Sequence, residues 1–519
     1  MGYALVFLAV LLILRFLRDP AVFHRGADLH HTHKAPVPRF GGLALAAAFV
    51  GVELLIAAFY SSQRQRTPGH LVVVLSSLAM FGVGFWDDLR PLGAKRKLLA
   101  QILIAVSVYY FGIGIQSFKI PLTEHIVDLG GWGVLITVCW LVAMTNLINL
   151  IDGVDGLAGG ICLMLMILIV FVGHQSGHFE LLSSGMAGAL LAFLWFNFPP
   201  ARIYLGDGGA YFLGFQIGLF SLVNSHKGTI FAALVAPLFV LALPIVDTGL
   251  AILRRGLRGL PIFRPDRRHI HHKLLGMGYS RRKAVLWLYG VTLMFLAMGL
   301  AAYWSRGELV PILLGAATLV LLLCAGRLRF SREWFSVGRV VGDSLAMRQE
   351  VQYALTLTRW LALDGHRCAS VEELWQDLTF TARKLGFTAV KLTLSDGERV
   401  WSADEASPEP GQFVKQEFQG GRCGTIELSA PRASAEENGS MEIVELQESP
   451  APSITDPRLF EIVSELLMEG WMKAATKWDS DGKTSLRFDS KRKQSAEPSL
   501  EPRKREEAAP AEKVAIADR

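Results

Sequence analysis

Between Asn146 and Gly160 the chain reads NLINLIDGVDGLAGG. Asn146, Asn149, Asp152 and Asp155 fall at intervals of three, and Gly153, Gly156, Gly159 and Gly160 are interleaved with them. Apolar stretches flank the segment, GWGVLITVCWLVAMT before it and ICLMLMILIVFV after it. Carboxylates at the mouth of a membrane helix cost on the order of several kcal/mol unless they are put to use. A three-residue step turns a helix face by about −60°, so one unbroken helix cannot align all four side chains. The glycines therefore predict a helix break near Asp152 that folds the later Asp back beside the Asn pair. Oxygen donors with close backbone approach suit Mg²⁺ and a phosphate-bearing ligand. The bland alternative is a polar helix cap.

Other stretches carry similar chemistry. Trp86-Asp87-Asp88-Leu89 closes an apolar run, where the negative end of the helix dipole disfavours carboxylates. Lys97 and Gln101 follow at i, i+4 on one helix face. Gly206-Asp207-Gly208-Gly209 sets one Asp among glycines at the entry of another apolar helix, a phosphate-and-metal arrangement that also occurs in ordinary turns. His33-Lys34-Ala35-Pro36-Val37-Pro38-Arg39-Phe40-Gly41-Gly42 combines stiff prolines with a glycine pair. Asp247 sits inside an apolar run as a carboxylate without an evident structural reason, and Pro244 predicts a kink beside it. Arg264-Pro265-Asp266-Arg267-Arg268-His269-Ile270-His271-His272-Lys273 groups donors that fit an anionic, hydroxyl-rich ligand better than a transition metal. For the basic loops the competing reading is a merely positive membrane edge.

The elements that must position these residues are membrane helices. Hydrophobic residues make up 51% of 519, and the mean hydropathy is +0.36. About eleven apolar stretches are long enough to cross a bilayer: near 2–18, 41–60, 70–86, 97–115, 131–149, 157–174, 180–198, 209–224, 229–253, 284–304 and 308–326. The first lacks a cleavage signature and reads as an anchor. Arg and Lys crowd the odd-numbered loops, which places those loops, the motifs and the C-terminus in the cytoplasm. The five cysteines are scattered and indicate neither a zinc site nor a disulfide framework.

Beyond residue 330 the hydropathy falls. Ser370-Val371-Glu372-Glu373 is a capping box, and Val371, Leu374, Trp375, Leu378 and Leu385 form one helix face ended by Gly386. Val390, Leu392 and Leu394 alternate as a strand before an Asp396-Gly397 turn. Phe413–Phe418 and Cys423–Leu428 predict a second hairpin, and Asp456-Pro457 opens a last helix. This helix–strands–helix order resembles a small GAF-like fold. From residue 478 the composition predicts a disordered tail. The expected organisation is an all-α polytopic membrane domain over 1–330, a cytosolic α+β module over 345–477 and a tail over 478–519.

In order, PRFGG, WDDL with Lys97 and Gln101, NLINLIDGVDGLAGG, LGDGGAYFLGF, PIVDT and PDRRHIHHKLL resemble the polyprenyl-phosphate N-acetylhexosamine-1-phosphate transferases of glycosyltransferase family 4. The resemblance covers about residues 1–330, and the HIHH form is similar to the branch that uses UDP-GlcNAc. Ala210 stands where members often carry Ser, and His31 where many carry another basic residue. The resemblance implies a bacterial plasma-membrane enzyme that moves N-acetylhexosamine-1-phosphate from a UDP-sugar to undecaprenyl phosphate. UMP leaves, and the product starts a lipid-linked surface glycan such as O-antigen. It implies Mg²⁺, with Mn²⁺ as a substitute, held by Asn149 and Asp207. It implies that Asp87 or Asp88 positions the lipid phosphate and that Asp207 is also catalytic. It further implies that Asn146, Asp152 and Asp155 serve substrate binding, the last two at the uridine. His33, Lys34, Lys97 and Asn197 are then substrate contacts, with Lys34, Lys97 and Asn197 at phosphates, and Arg268, His269, His271 and His272 meet the sugar. A homodimer is compatible with this reading; a nucleic-acid partner is not expected. The rivals are a phospho-MurNAc-pentapeptide transferase-like enzyme, a multi-spanning transporter, a CDP-alcohol phosphotransferase lacking its D-G-x-x-A-R run, and a membrane sensor.

Overall fold

The computed structural model describes residues 10, 13, 15, 37–59, 69–119, 125–172, 178–223, 230–257, 270–305, 308–327, 337–365, 367–368, 370–394, 397–403, 412–418, 424–431, 454 and 457–480. The chain forms two compact units, Met1–Ser344 and Leu345–Arg519.

In the first unit, each apolar stretch from residue 41 onward becomes helix. The helices are α1 (Gly41–Phe59), α2 (Gly69–Leu89), α3 (Ala94–Tyr110), α4 (Trp132–Ile151), α5 (Leu157–Val172), α6 (His178–Asn197), α7 (Gly206–Val223), α8 (Ile230–Val240), α9 (Ala242–Leu257), α10 (Ile270–Gly276), α11 (Arg281–Trp304) and α12 (Val310–Arg327). A short antiparallel pair, β1 (Ser117–Lys119) and β2 (Ile126–Asp128), lies between α3 and α4 and has no signal in the hydropathy. Among the described residues, four helices, α1, α2, α4 and α11, are long and apolar enough to cross a membrane; a fifth span arises if α8 and α9 count as one bent by 73°. That bend falls at Leu241, three residues before Pro244. Proline lacks the N–H and crowds the carbonyl four residues earlier, so the break appears upstream of the ring.

The bundle is organised around α7, whose residues from Gly208 to Leu222 are all buried. A helix apolar on every side belongs in the centre. Glycines let its neighbours approach backbone to backbone. A Cβ on Gly84 of α2 would lie 2.4 Å from the Asp207 carbonyl oxygen, and one on Gly42 of α1 would lie 2.3 Å from the Gly209 nitrogen. Phe81 of α2 and Phe49 of α1 both set their rings edge-on to Phe212 of α7. Gly84→Ala should therefore push α2 from α7 and destabilise the bundle by about 1–3 kcal/mol. Thermal unfolding in detergent measures this, and an unchanged transition would contradict the packing.

α13 (Val337–Asp364) begins in the first unit and continues from Leu345 in the second, where it leads to α14 (Val371–Lys384), β3 (Ala389–Leu394), β4 (Gly397–Ser402), β5 (Gln412–Glu417), β6 (Thr425–Ala430) and α15 (Pro457–Ser480). Ser370 caps α14, its Oγ accepting from the Glu373 N–H at 3.2 Å. The sheet runs β4-β3-β6-β5, antiparallel throughout. Alternate residues of β3 and β6, including Val390, Leu392, Ile426 and Leu428, are buried. The last strand starts two residues later than the sequence suggests, because Gly424 takes a positive φ of 85° and ends the turn there. The expected tail from residue 478 lies outside the described residues beyond Ser480.

Candidate active site

Among the described residues, PRFGG, WDDL with Lys97 and Gln101, NLINLIDGVDGLAGG and LGDGGAYFLGF come together at one end of the first unit. The Pro38–Gly42 segment docks on the loop before α7: Tyr204 N–H donates to the Pro38 carbonyl at 2.8 Å, and the Gly41 and Gly42 N–H groups donate to the Tyr204 and Leu205 carbonyls at 2.9 Å each. Gly206 has a φ of 76°, and a Cβ there would meet the Arg39 carbonyl and the Asp88 carboxylate at 2.8 Å. The PRFGG motif thus builds the wall against which the Gly-Asp-Gly turn is set.

Asp87 and Asp88 divide their work. Asp88 accepts from the N–H groups of Asp207 at 3.0 Å and Gly208 at 2.8 Å, so both its oxygens cap α7. This answers the electrostatic objection to a carboxylate at the end of α2: the positive end of α7 compensates it. Asp88 is therefore placed as a structural clip. Asp87 takes the Leu92 N–H at 2.7 Å and pairs with Lys97. The same ammonium reaches Asp207 Oδ2 at 3.1 Å, so Lys97 bridges two carboxylates from different helices. Tyr211, one turn beyond Asp207, also interacts with Lys97; the sequence reading missed it, although i, i+4 spacing from Asp207 on α7 was the available signal.

The break after α4 is where the glycines predict it: the helix ends at Ile151, a turn covers 152–156 with Gly156 at a φ of 78°, and α5 begins at Leu157. α4 runs antiparallel to α7, with Gly218 against Leu141 and Gly214 against Met144 and Thr145. Continuing that register carries Asn149 to the first turn of α7. Asn149 is half-buried, and its carboxamide has no hydrogen-bond partner among the described residues. Asn146 donates to Gln101 Oε1 at 2.7 Å and to the Val142 carbonyl at 2.8 Å, tying α4 to α3. Removal from water, with Asp207 and Asp88 nearby, holds the Asp152 carboxyl well above the usual carboxylate range, against the opposing pull of Arg39.

A second set of expected substrate contacts is occupied by the protein itself. Asn197 is 3% exposed; its Oδ1 accepts from Gly156 N–H at 2.9 Å and its Nδ2 donates to the Ile203 carbonyl at 2.9 Å. Asp155 accepts from Ala201 N–H at 3.0 Å. These two side chains cross-tie the 152–156 turn to the 197–203 loop. α11 clamps the same pair of loops: Arg282 Nε donates to the Pro199 carbonyl at 2.6 Å, and Tyr289 OH donates to the Gly156 carbonyl. Arg282 and Tyr289 were not foreseen, since Arg and Tyr at a membrane edge ordinarily read as interfacial anchors.

His33, Lys34, Arg268 and His269 lie outside the described residues, and of His271 and His272 only the backbone, within α10, is described. The expectation for Asp247 needs correcting: its Oδ1 accepts from Ile270 N–H at 3.2 Å, anchoring the start of α10 directly after the Arg/His run. Its carboxylate stands where the first free N–H groups of a helix need an acceptor.

Among the described residues no group of three or more His, Cys, Asp and Glu forms a ready metal cage. Mg²⁺ asks for less: it commonly takes one or two protein oxygens and completes its shell with phosphates and water. Asp207 and Asn149 offer oxygen donors of the kind such a shell takes. Among the described residues, five carboxylates (Asp87, Asp88, Asp152, Asp155, Asp207) stand with four cations, Lys97, Arg39, Arg281 and Arg282, at this end of the bundle. That surplus of negative charge fits a divalent ion arriving with a polyanionic ligand.

An apolar helix bundle that gathers carboxylates, carboxamides and a bridging lysine at one end defines a membrane protein with a charged, phosphate-compatible site at its mouth. The model of the family described as glycosyl transferase family 4 matches residues 70–225, from α2 through α7. The chain is 34% identical over 269 residues to the probable undecaprenyl-phosphate N-acetylglucosaminyl 1-phosphate transferase of Bacillus subtilis, covering 51% of this chain and 72% of the relative. It is 31% identical over 337 residues to the decaprenyl-phosphate N-acetylglucosaminephosphotransferase of Mycobacterium tuberculosis, covering 59% and 82%. It is 32% identical over 319 residues to the phospho-N-acetylmuramoyl-pentapeptide-transferase of Pelotomaculum thermopropionicum, covering 57% and 93%. The chain belongs to glycosyl transferase family 4.

Proposed function

We propose that this protein transfers N-acetylglucosamine-1-phosphate from UDP-N-acetylglucosamine to undecaprenyl phosphate. A lipid phosphate oxygen attacks the β-phosphorus, the bond to the α-phosphate bridging oxygen breaks, and UMP departs. The observation that carries the reading is the Lys97 bridge between Asp87 and Asp207. Phosphoryl transfer is catalysed largely by positioning and charge neutralisation, and a lysine held between carboxylates is a fixed cation for a phosphate. Asp87 orients Lys97 and the incoming lipid phosphate. A phosphate monoester is already largely ionised, with a second pKa of about 6, so positioning outweighs base catalysis. Bound Mg²⁺, held by Asp207 and Asn149, would neutralise charge on the diphosphate. Asp152 is the better placed of the two turn carboxylates for the uridine, because Asp155 already accepts from Ala201. Asn197 and Asp155 act by fixing the loops, and Asp88 by fixing α7.

In this reading the protein is a bacterial plasma-membrane enzyme with about eleven spans, its site and C-terminus cytoplasmic, and a GAF-like second unit. The positive-inside pattern of the sequence supports the orientation, and the antiparallel four-stranded sheet supports the GAF-like reading. The product begins a lipid-linked surface glycan. Purified protein in detergent with undecaprenyl phosphate, Mg²⁺ and UDP-N-acetylglucosamine should release UMP only when both substrates are present. Release with UDP-MurNAc-pentapeptide alone among UDP-sugars would favour the muramoyl reading instead.

The Arg268, His269, His271 and His272 segment leads into α10, which Asp247 anchors. Losing one donor to a charged ligand costs about 1.5–3 kcal/mol. His272→Ala should therefore raise the KM for the UDP-sugar roughly ten- to a hundredfold, with a much smaller effect on the KM for the lipid. Equal effects on both would indicate a general structural role.

A further inference from the structure

The second unit carries a surface that its own fold does not use. One side of α13 is buried through Val351, Ala354, Thr358 and Leu361, and Gly470 and Ala474 of α15 pack against that helix and the Gly365 that follows it. The opposite side exposes Tyr353 by 42%, Trp360 by 39% and Leu363 by 52%. These fall at i, i+7 and i+10, one stripe of a helix. Phe380 of α14 extends the stripe: it is 49% exposed, and its ring meets Trp360 edge-on with centroids 5.9 Å apart. Large aromatics are seldom left together in water.

Among the described residues, basic groups outnumber acidic ones around the stripe, where Asp364 and Asp377 are the acids. Arg359, Arg383 and Lys384 are exposed, and none has an acidic partner among the described residues. Lys384 Nζ stands 5.9 Å from the Phe380 ring centroid. The nearby acids are engaged elsewhere: Asp377 accepts from the Cys368 thiol, and Asp364 faces Arg367. Trp, Tyr and Phe mixed with Arg and Lys is the composition of surfaces that rest in a headgroup layer. A second copy fits less well, because a two-fold contact would set the same basic border against itself.

We infer that this face of α13 and α14 docks on an anionic bilayer surface, the aromatic stripe entering the headgroup layer and Arg359, Arg383 and Lys384 pairing with lipid phosphates. Only nine residues, 328–336, separate α12 from α13, so the unit is tethered to a membrane whatever its orientation. The inference does not depend on the transferase reading.

The test places a photo-crosslinker in the stripe by Phe380→p-benzoylphenylalanine in the full chain, reconstituted in nanodiscs. With phosphatidylglycerol present, irradiation should attach lipid to the α14 peptide. The yield should be several-fold lower in phosphatidylcholine alone. Each basic residue near such a surface contributes about a fivefold factor, so adding Arg359→Glu and Lys384→Glu should cut the yield at least about tenfold, with an unchanged melting transition showing that the unit is folded. A yield independent of lipid charge, a yield unaffected by the reversals, or crosslinks to a second copy in liposomes would overturn the inference.

Discussion

Asp207→Ala should lower transfer by at least about 10³-fold, and raising Mg²⁺ should not restore it. The Asp207 carboxylate stands 3.1 Å from the Lys97 ammonium in the first turn of α7. In the proposed function it serves both a divalent ion and the lysine set toward the phosphates. The loss should leave the fold intact. α7 is held at its start by Asp88, which binds the backbone N–H groups of residues 207 and 208 and makes no use of the Asp207 side chain. Membrane insertion and the unfolding transition should therefore stay near those of the parent. Near-normal activity in a folded Asp207→Ala protein would remove Asp207 from the metal and phosphate roles.

Lys97→Met should reduce kcat/KM by about 10²–10³. Methionine keeps the length of the side chain and its packing on α3 but removes the charge. The change withdraws a cation from the phosphates and leaves Asp87 and Asp207, which it had joined, facing each other without compensation. Two such carboxylates repel and destabilise their site. Arg at this position would keep the charge but not the geometry of a compact ammonium between two oxygens, so Lys97→Arg should recover only part of the loss. Steady-state rates for the three proteins, at saturating UDP-sugar and with lipid phosphate varied from below its KM, measure this. A Lys97→Met protein within about threefold of the parent would place the lysine outside the chemistry, well short of the 10²–10³ that a lost charge at the reacting centre costs.

The sequence was most informative where one dimension suffices. Helix positions follow from runs of apolar residues, and the break after Ile151 follows from four interleaved glycines. The capping of α14 by Ser370 follows from a local pattern. Roles that depend on which way an oxygen points were not legible. Asp87 and Asp88 are adjacent and chemically alike, yet one faces a lysine and the other closes α7, a partner 119 residues away. Asn197 and Asp155 stand out through the family motif and Asp247 as a carboxylate inside an apolar run, and buried polar side chains demand a partner. Their partners proved to be backbone N–H and carbonyl groups of distant loops, which periodicity does not encode. PRFGG shows the same limit: its prolines and glycines announced a close approach, and the structure supplies what is approached, the loop at Tyr204–Gly206.

Following the phosphorus tests the central claim most directly. UDP-N-acetylglucosamine labelled at the β-phosphate is incubated with purified protein, Mg²⁺ and undecaprenyl phosphate, and the products are separated by chromatography. The account predicts that the label moves to the lipid together with the sugar, while the nucleotide released is unlabelled UMP. Label remaining on the nucleotide, released as UDP, would mean that the sugar travels without its phosphate and would contradict the account.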